Sequence, residues 1–129
     1  MQLIDTAQEL TTSWANLGPL IQMNSFSRLG LFLKLDINDS QNVRVRALGK
    51  RSEGDASSFV FPLLTPSATS VGVEGELYEF TTDADVNQII EIGTNYIVPY
   101  VQIQVQAGTA GATPGEITEA DYFTSNAPK

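Results

Sequence analysis

One stretch, Tyr100-Val101-Gln102-Ile103-Gln104-Val105-Gln106-Ala107, alternates apolar and polar residues without a break. Successive side chains of a β-strand point to opposite faces. Val101, Ile103, Val105 and Ala107 therefore line one face, and Gln102, Gln104 and Gln106 line the other. This is the pattern of an antiparallel strand with one dry face and one face turned to water or to a partner. Neutral amides occupy the wet side, where a merely solubilising strand would carry Lys or Glu.

The same period recurs along the chain. Leu29, Leu31, Leu33, Leu35 and Ile37 alternate with Gly30, Phe32, Lys34 and Asp36. After the turn-forming run 38–42 (Asn, Asp, Ser, Gln, Asn), Val43, Val45 and Ala47 alternate with Arg44, Arg46 and Leu48. The spacing predicts a hairpin, with Lys34, Arg44 and Arg46 pointing outward from it. Shorter strands are expected around 59–64, where Pro62 marks an edge or bulge, at 77–80 and at 88–92. Residues 117–123 are expected to close a sheet. Trp14 is expected to anchor the core at the start of a sheet.

Glycine and proline punctuate these runs throughout, and helical periodicity is scarce. The reading is a single all-β domain over 1–129, an antiparallel two-sheet β-sandwich of seven or eight strands in jelly-roll form, with a small closed barrel as the alternative. Residues 1–10 read as an N-terminal arm, 108–115 as a flexible or partner-ordered Gly-rich loop, and 124–129 as a C-terminal tail.

With 129 residues, 42% of them hydrophobic, the chain is large enough for one core. It has no cysteine and no histidine. Disulfides, thiolate chemistry and Cys-based zinc sites are thereby excluded, together with the commonest general base. No signal peptide is visible at the N-terminus, and no window reaches the roughly 18 apolar residues of a membrane span. A soluble protein of the cytoplasm or of a particle assembled there is expected.

The net charge of −8 argues against nucleic acid as a partner. The charges are also segregated. Arg28, Lys34, Arg44, Arg46, Lys50 and Arg51 crowd one stretch, whereas from Glu53 to Pro128 there are eleven acids and no base. Such a division suits ordinary solvated faces, or oppositely charged patches that pack side by side with a partner.

Carboxylates are the only candidates for catalysis. Glu74, Glu76 and Glu79 have the setting of surface residues, so no enzymatic activity is expected. Asp83-Ala84-Asp85-Val86-Asn87 begins like a calcium loop, but Gln88 stands where the loop needs Gly and Thr94 where it needs Glu. A turn held by Asx side-chain hydrogen bonds is the better expectation. No metal or other cofactor is expected. Trp14, Tyr78, Tyr96, Tyr100 and Tyr122 suit core or rim positions better than a sugar platform.

Four stretches carry a resemblance of layout: Ser13-Trp14-Ala15-Asn16-Leu17-Gly18, Leu31-Phe32-Leu33-Lys34-Leu35-Asp36-Ile37, residues 40–47, and residues 98–109. On these the chain resembles the small virion proteins of tailed bacteriophages, of the capsid decoration (head cement) type. Galactose-binding-like jelly rolls and tail-fibre modules share the layout. The resemblance implies a structural protein without an active site that bridges major capsid protein subunits, often as a trimer, and that resides in the virion. It transfers no functional residue. The expected contact surfaces are the Gln102, Gln104 and Gln106 face, the Lys34, Arg44 and Arg46 face, and the terminal arms. The alternatives are a carbohydrate-binding module or adhesin, and a self-assembling filament or sheath subunit that adds a terminal strand to its neighbour.

Overall fold

The computed structural model describes residues 1–54, 59–60, 79–93 and 98–125, and among these there is no helix. Ten strands run in order among the described residues: β1 (Gln8–Glu9), β2 (Ala15–Asn16), β3 (Ile21–Gln22), β4 (Arg28–Asp36), β5 (Gln41–Lys50), β6 (Phe59–Val60), β7 (Phe80–Thr82), β8 (Val86–Gly93), β9 (Tyr100–Thr109) and β10 (Glu116–Ser125). They form two antiparallel sheets, a four-stranded one ordered β1-β10-β4-β8 and a six-stranded one ordered β2-β9-β5-β6. In the second sheet β3 also pairs with β9, and β7 with β5. The ten strands thus fall into eight lanes of a β-sandwich, as the two-residue periodicity predicts.

The alternating runs supply the core. Leu29, Leu31, Leu33 and Leu35 of β4 face Val43, Val45 and Ala47 of β5 and Val101, Ile103, Val105 and Ala107 of β9, and all are buried. Phe80, Ile90, Ile92 and Ile117 complete the layer. Buried apolar side chains contribute roughly 1.5–3 kcal/mol each, so the period-two pattern fixes which face of every long strand turns inward.

The predicted hairpin between β4 and β5 does not form. β4 pairs with β8 and β10 in one sheet, while β5 pairs with β9 in the other, so the connection at 37–40 is a corner that passes from one sheet to the other. An alternating pattern states only that two strands share a dry interior. It is satisfied equally by pairing side by side and by stacking face to face. The corner turns at Asn38, with Asn42 just beyond it in β5, and their φ values of 49° and 55° lie in the left-handed region that asparagine tolerates.

That corner also orders the Gly-rich segment, which was expected to be flexible or ordered by a partner. The Asp39 N–H donates to the Thr113 carbonyl and the Thr113 N–H to Asp39 Oδ2. Buried Ser40 donates to the Ala110 carbonyl and accepts from the Gly115 N–H, both at 2.8 Å. From the other side, Asp83 accepts from the Asn42 N–H (2.6 Å) and Asp85 from the Ile37 N–H (2.8 Å). The acidic loop is therefore bound by side-chain hydrogen bonds, which reach across to another loop. Among the described residues no group of three or more metal-ligating side chains converges.

The first ten residues are part of the sandwich and not a free arm. β1 pairs with β10, the Leu3 N–H donates to the Ala120 carbonyl, and Met1 and Tyr122 exchange main-chain hydrogen bonds. Leu3 and Leu10 are buried in the core. Apolar side chains three and ten residues from the start, each with a place in the interior, hold this edge down. Of the expected C-terminal tail, Thr124 and Ser125 end β10, and residues 126–129 lie outside the described residues.

One irregularity matters for the surface. The β10–β4 register shifts between Ile117 and Glu119, a β-bulge that inserts Thr118, whose hydroxyl donates to the Lys34 carbonyl. Ile117 and Ala120 are both buried although three residues apart. Beyond the bulge the side chains alternate in the opposite phase, and Phe123 points outward.

Candidate interaction surface

The outer face of the six-stranded sheet brings together two groups that the sequence presents separately. In the β5–β9 ladder Arg44 lies opposite Gln106 and Arg46 opposite Gln104, so the expected glutamine and arginine surfaces are one surface. Residues 11–23 run antiparallel along the far edge of β9 as a strap. The Ala107 N–H donates to the Thr11 carbonyl, Leu17 to Ile103 and Met23 to Pro99, with β2 and β3 paired in between.

Each glutamine fastens this strap. Gln106 Nε2 donates to the Thr12 carbonyl at 2.9 Å, and Gln104 Nε2 to Asn16 Oδ1 at 3.0 Å. Gln102, only 5% exposed, donates to the Gly18 carbonyl at 3.1 Å. Amides suit this work because each offers a donor and an acceptor without the desolvation cost of a charge.

Arg46 extends the ladder. Its Nε and one Nη both donate to Gln104 Oε1, at 2.9 and 2.7 Å. Its guanidinium carbon sits 4.0 Å from the centroid of the Trp14 ring, a cation–π contact. Partial burial pushes the Arg46 pKa below its ordinary value, and the Glu79 carboxylate opposes that shift. Trp14 is therefore half-buried as a lid on the outside of the sheet, where a core anchor was expected. A tryptophan beside a run of threonine and serine does not reveal which side of the sheet it packs on.

Lys34 is not on this face. It is exposed on the outside of the four-stranded sheet, in register with Glu119 and Asn87. The break is a direct result of β4 and β5 lying in different sheets.

Around Lys34 the other outer face has a different character. In register across the strands, Phe123 lies opposite Gly30 and Glu91, and Asp121 opposite Phe32 and Ile89. Phe123 is 53% exposed and Ile89 51%, with Phe32 half-buried between them. Gly30 leaves a groove of about 380 Å³ between Phe123 and Ile89, lined also by Arg28, Glu91 and Ser125. At its rim, Arg28 Nε is buried without a hydrogen-bond partner among the described residues. This patch escaped the sequence reading because Phe32 and Ile89 look like spare core residues. The outward turn of Phe123 depends on the bulge at Thr118. The signal that was present is Phe32 itself, an aromatic residue on the otherwise polar phase of β4.

Of the remaining candidates, Glu74, Glu76, Tyr78 and Tyr96 lie outside the described residues. Tyr100 and Tyr122 are half-buried at the rim, the latter against the core. No protein-family model, curated protein sequence or solved structure matches the chain.

Proposed function

We propose that this chain is a passive structural subunit, a jelly-roll sandwich that decorates or stabilises a bacteriophage capsid through lateral contacts with the major capsid protein. The observation that carries the reading is the exposed apolar groove between Ile89 and Phe123, with Phe32 beside it, on a sheet face that is otherwise polar. Contiguous apolar surface of this kind marks association sites. The jelly-roll assignment is supported by the strand orders β1-β10-β4-β8 and β2-β9-β5-β6, which two nested Greek keys produce. The sequence resemblance to decoration proteins is what points to the major capsid protein as partner and to the virion as location.

A sugar-binding role has less support, because the one tryptophan already has Arg46 stacked over its ring. The test is incubation of the protein with purified capsids. Added density at fixed lattice positions and a higher particle melting temperature are expected. Bare capsids with unchanged melting would remove the proposal, and binding to a glycan array would replace it with the adhesin reading.

A further inference from the structure

The grooved face has an electrostatic complement on the same molecule. On the outer phase of the four-stranded sheet, Glu9, Asp36, Glu91, Glu116, Glu119 and Asp121 stand against the two bases Arg28 and Lys34, and Glu91 lines the apolar groove itself. On the outer phase of the six-stranded sheet, Arg44, Arg46 and Lys50 stand in line along β5, with Glu79 as the acid beside Arg46. The sandwich is thus acidic and apolar on one side and basic on the other, among the described residues.

We infer that the outer face of the four-stranded sheet docks head to tail on the outer face of the six-stranded sheet of a second copy of this chain. Two acidic faces brought together would repel, and so would two basic ones. Only the mixed contact sets carboxylates against guanidinium and ammonium groups. It also gives Phe123 and Ile89 an apolar counterpart, in the half-buried ring of Tyr100 and the aliphatic stem of Arg44.

The contact is heterologous, and its two surfaces lie on opposite sides of the molecule. Each copy bound therefore leaves one face of each kind open, and assembly proceeds as an open stack rather than a closed pair. The charge contribution makes it sensitive to salt, since the Debye length shortens from about 10 Å at 0.1 M to about 3 Å at 1 M. The inference deepens the structural reading above and rests on it only in requiring an associating surface.

Sedimentation velocity of the full chain, from micromolar to millimolar concentration and in low and high salt, tests it. The expected result is a mass that climbs past the dimer with concentration and falls in high salt. Phe123→Glu is expected to weaken association at least about tenfold with melting unchanged. Two further variants guard against a folding defect in any one: Arg44→Glu with Lys50→Glu, and Glu119→Lys with Asp121→Lys. Each alone is expected to stay monomeric, and an equimolar mixture of the two to associate again. A protein monomeric at millimolar concentration in low salt overturns the inference. So does association that ignores the Arg44 and Lys50 reversal, because that outcome means a contact between like faces. A monomer that still decorates capsids would end the stacking and spare the decoration role; a stacking protein that ignores capsids would do the reverse.

Discussion

On the outside of the six-stranded sheet, the long polar side chains Gln102, Gln104, Gln106 and Arg46 all bond within the chain. On the outside of the four-stranded sheet, Phe123 and Ile89 stand half in solvent and Arg28 Nε has no hydrogen-bond partner among the described residues. Both faces are made by the same kind of alternating strand. The difference lies in what runs alongside. Residues 11–23 lie along β9 and give its glutamines oxygen acceptors to bind, whereas no such strap runs beside Phe123 and Ile89 on the opposite face among the described residues. Polar groups that are satisfied at home hold a fold together, and apolar groups left uncovered are available for another surface. The glutamines and Arg46 of the first face should therefore answer to mutation through stability, and Phe123 and Ile89 of the second through association.

The largest effect is expected where the strap crosses the N-terminal edge. Gly18 has φ of +70°, and a Cβ there would stand 2.4 Å from the Leu3 carbonyl oxygen. Gly18→Ala should cost about 2–4 kcal/mol in urea unfolding, from backbone strain and the displaced Leu3 together. A loss below about 1 kcal/mol would mean that the strap is held less closely than its hydrogen bonds imply.

Arg46→Ala comes next, at about 2 kcal/mol, since it removes a forked hydrogen bond and the cover over Trp14. Trp14 is the only tryptophan, so its emission should shift to the red. Arg46→Lys should fail to restore either property, because an ammonium cannot reproduce the planar fork. Full rescue by lysine would reduce the ladder to a matter of charge.

A smaller loss, about 0.5–1 kcal/mol, is expected for Gln106→Ala, which deletes one partly exposed hydrogen bond to Thr12. Faster amide exchange at Ala107, whose N–H donates to the strap at Thr11, is the local readout. Protection left unchanged there would show that the glutamine does not fasten the strap.

Phe123→Ser should change stability least, within about 0.5 kcal/mol, because the side chain already stands in solvent. A loss above about 2 kcal/mol would place Phe123 among the structural residues and erase the contrast between the faces.

Much of this could be read before any fold was known. The alternation in β4, β5 and β9 correctly names the inward residues, and the glycine and proline spacing correctly implies many short strands in two sheets. Other features were hidden for identifiable reasons. The N-terminal ten residues lack a strand-length pattern, since they touch β10 in two short pieces and are held by Leu3 and Leu10. The glutamines were legible as a neutral row, but their acceptors lie 84–94 residues away in the chain. The exposed groove depends on a bulge, which periodicity treats as noise.

Periodicity of two, taken along each strand separately, determines which side chains are hidden from water, because burial is decided residue by residue. Which strand lies beside which is decided only when the layers assemble. Hydrogen-bond ladders and corner contacts between distant segments carry that choice, and the local pattern is indifferent to it. Hence β4 and β5 were legible as strands yet were expected in one sheet, and the outward turn of Phe123 exists only in the folded molecule.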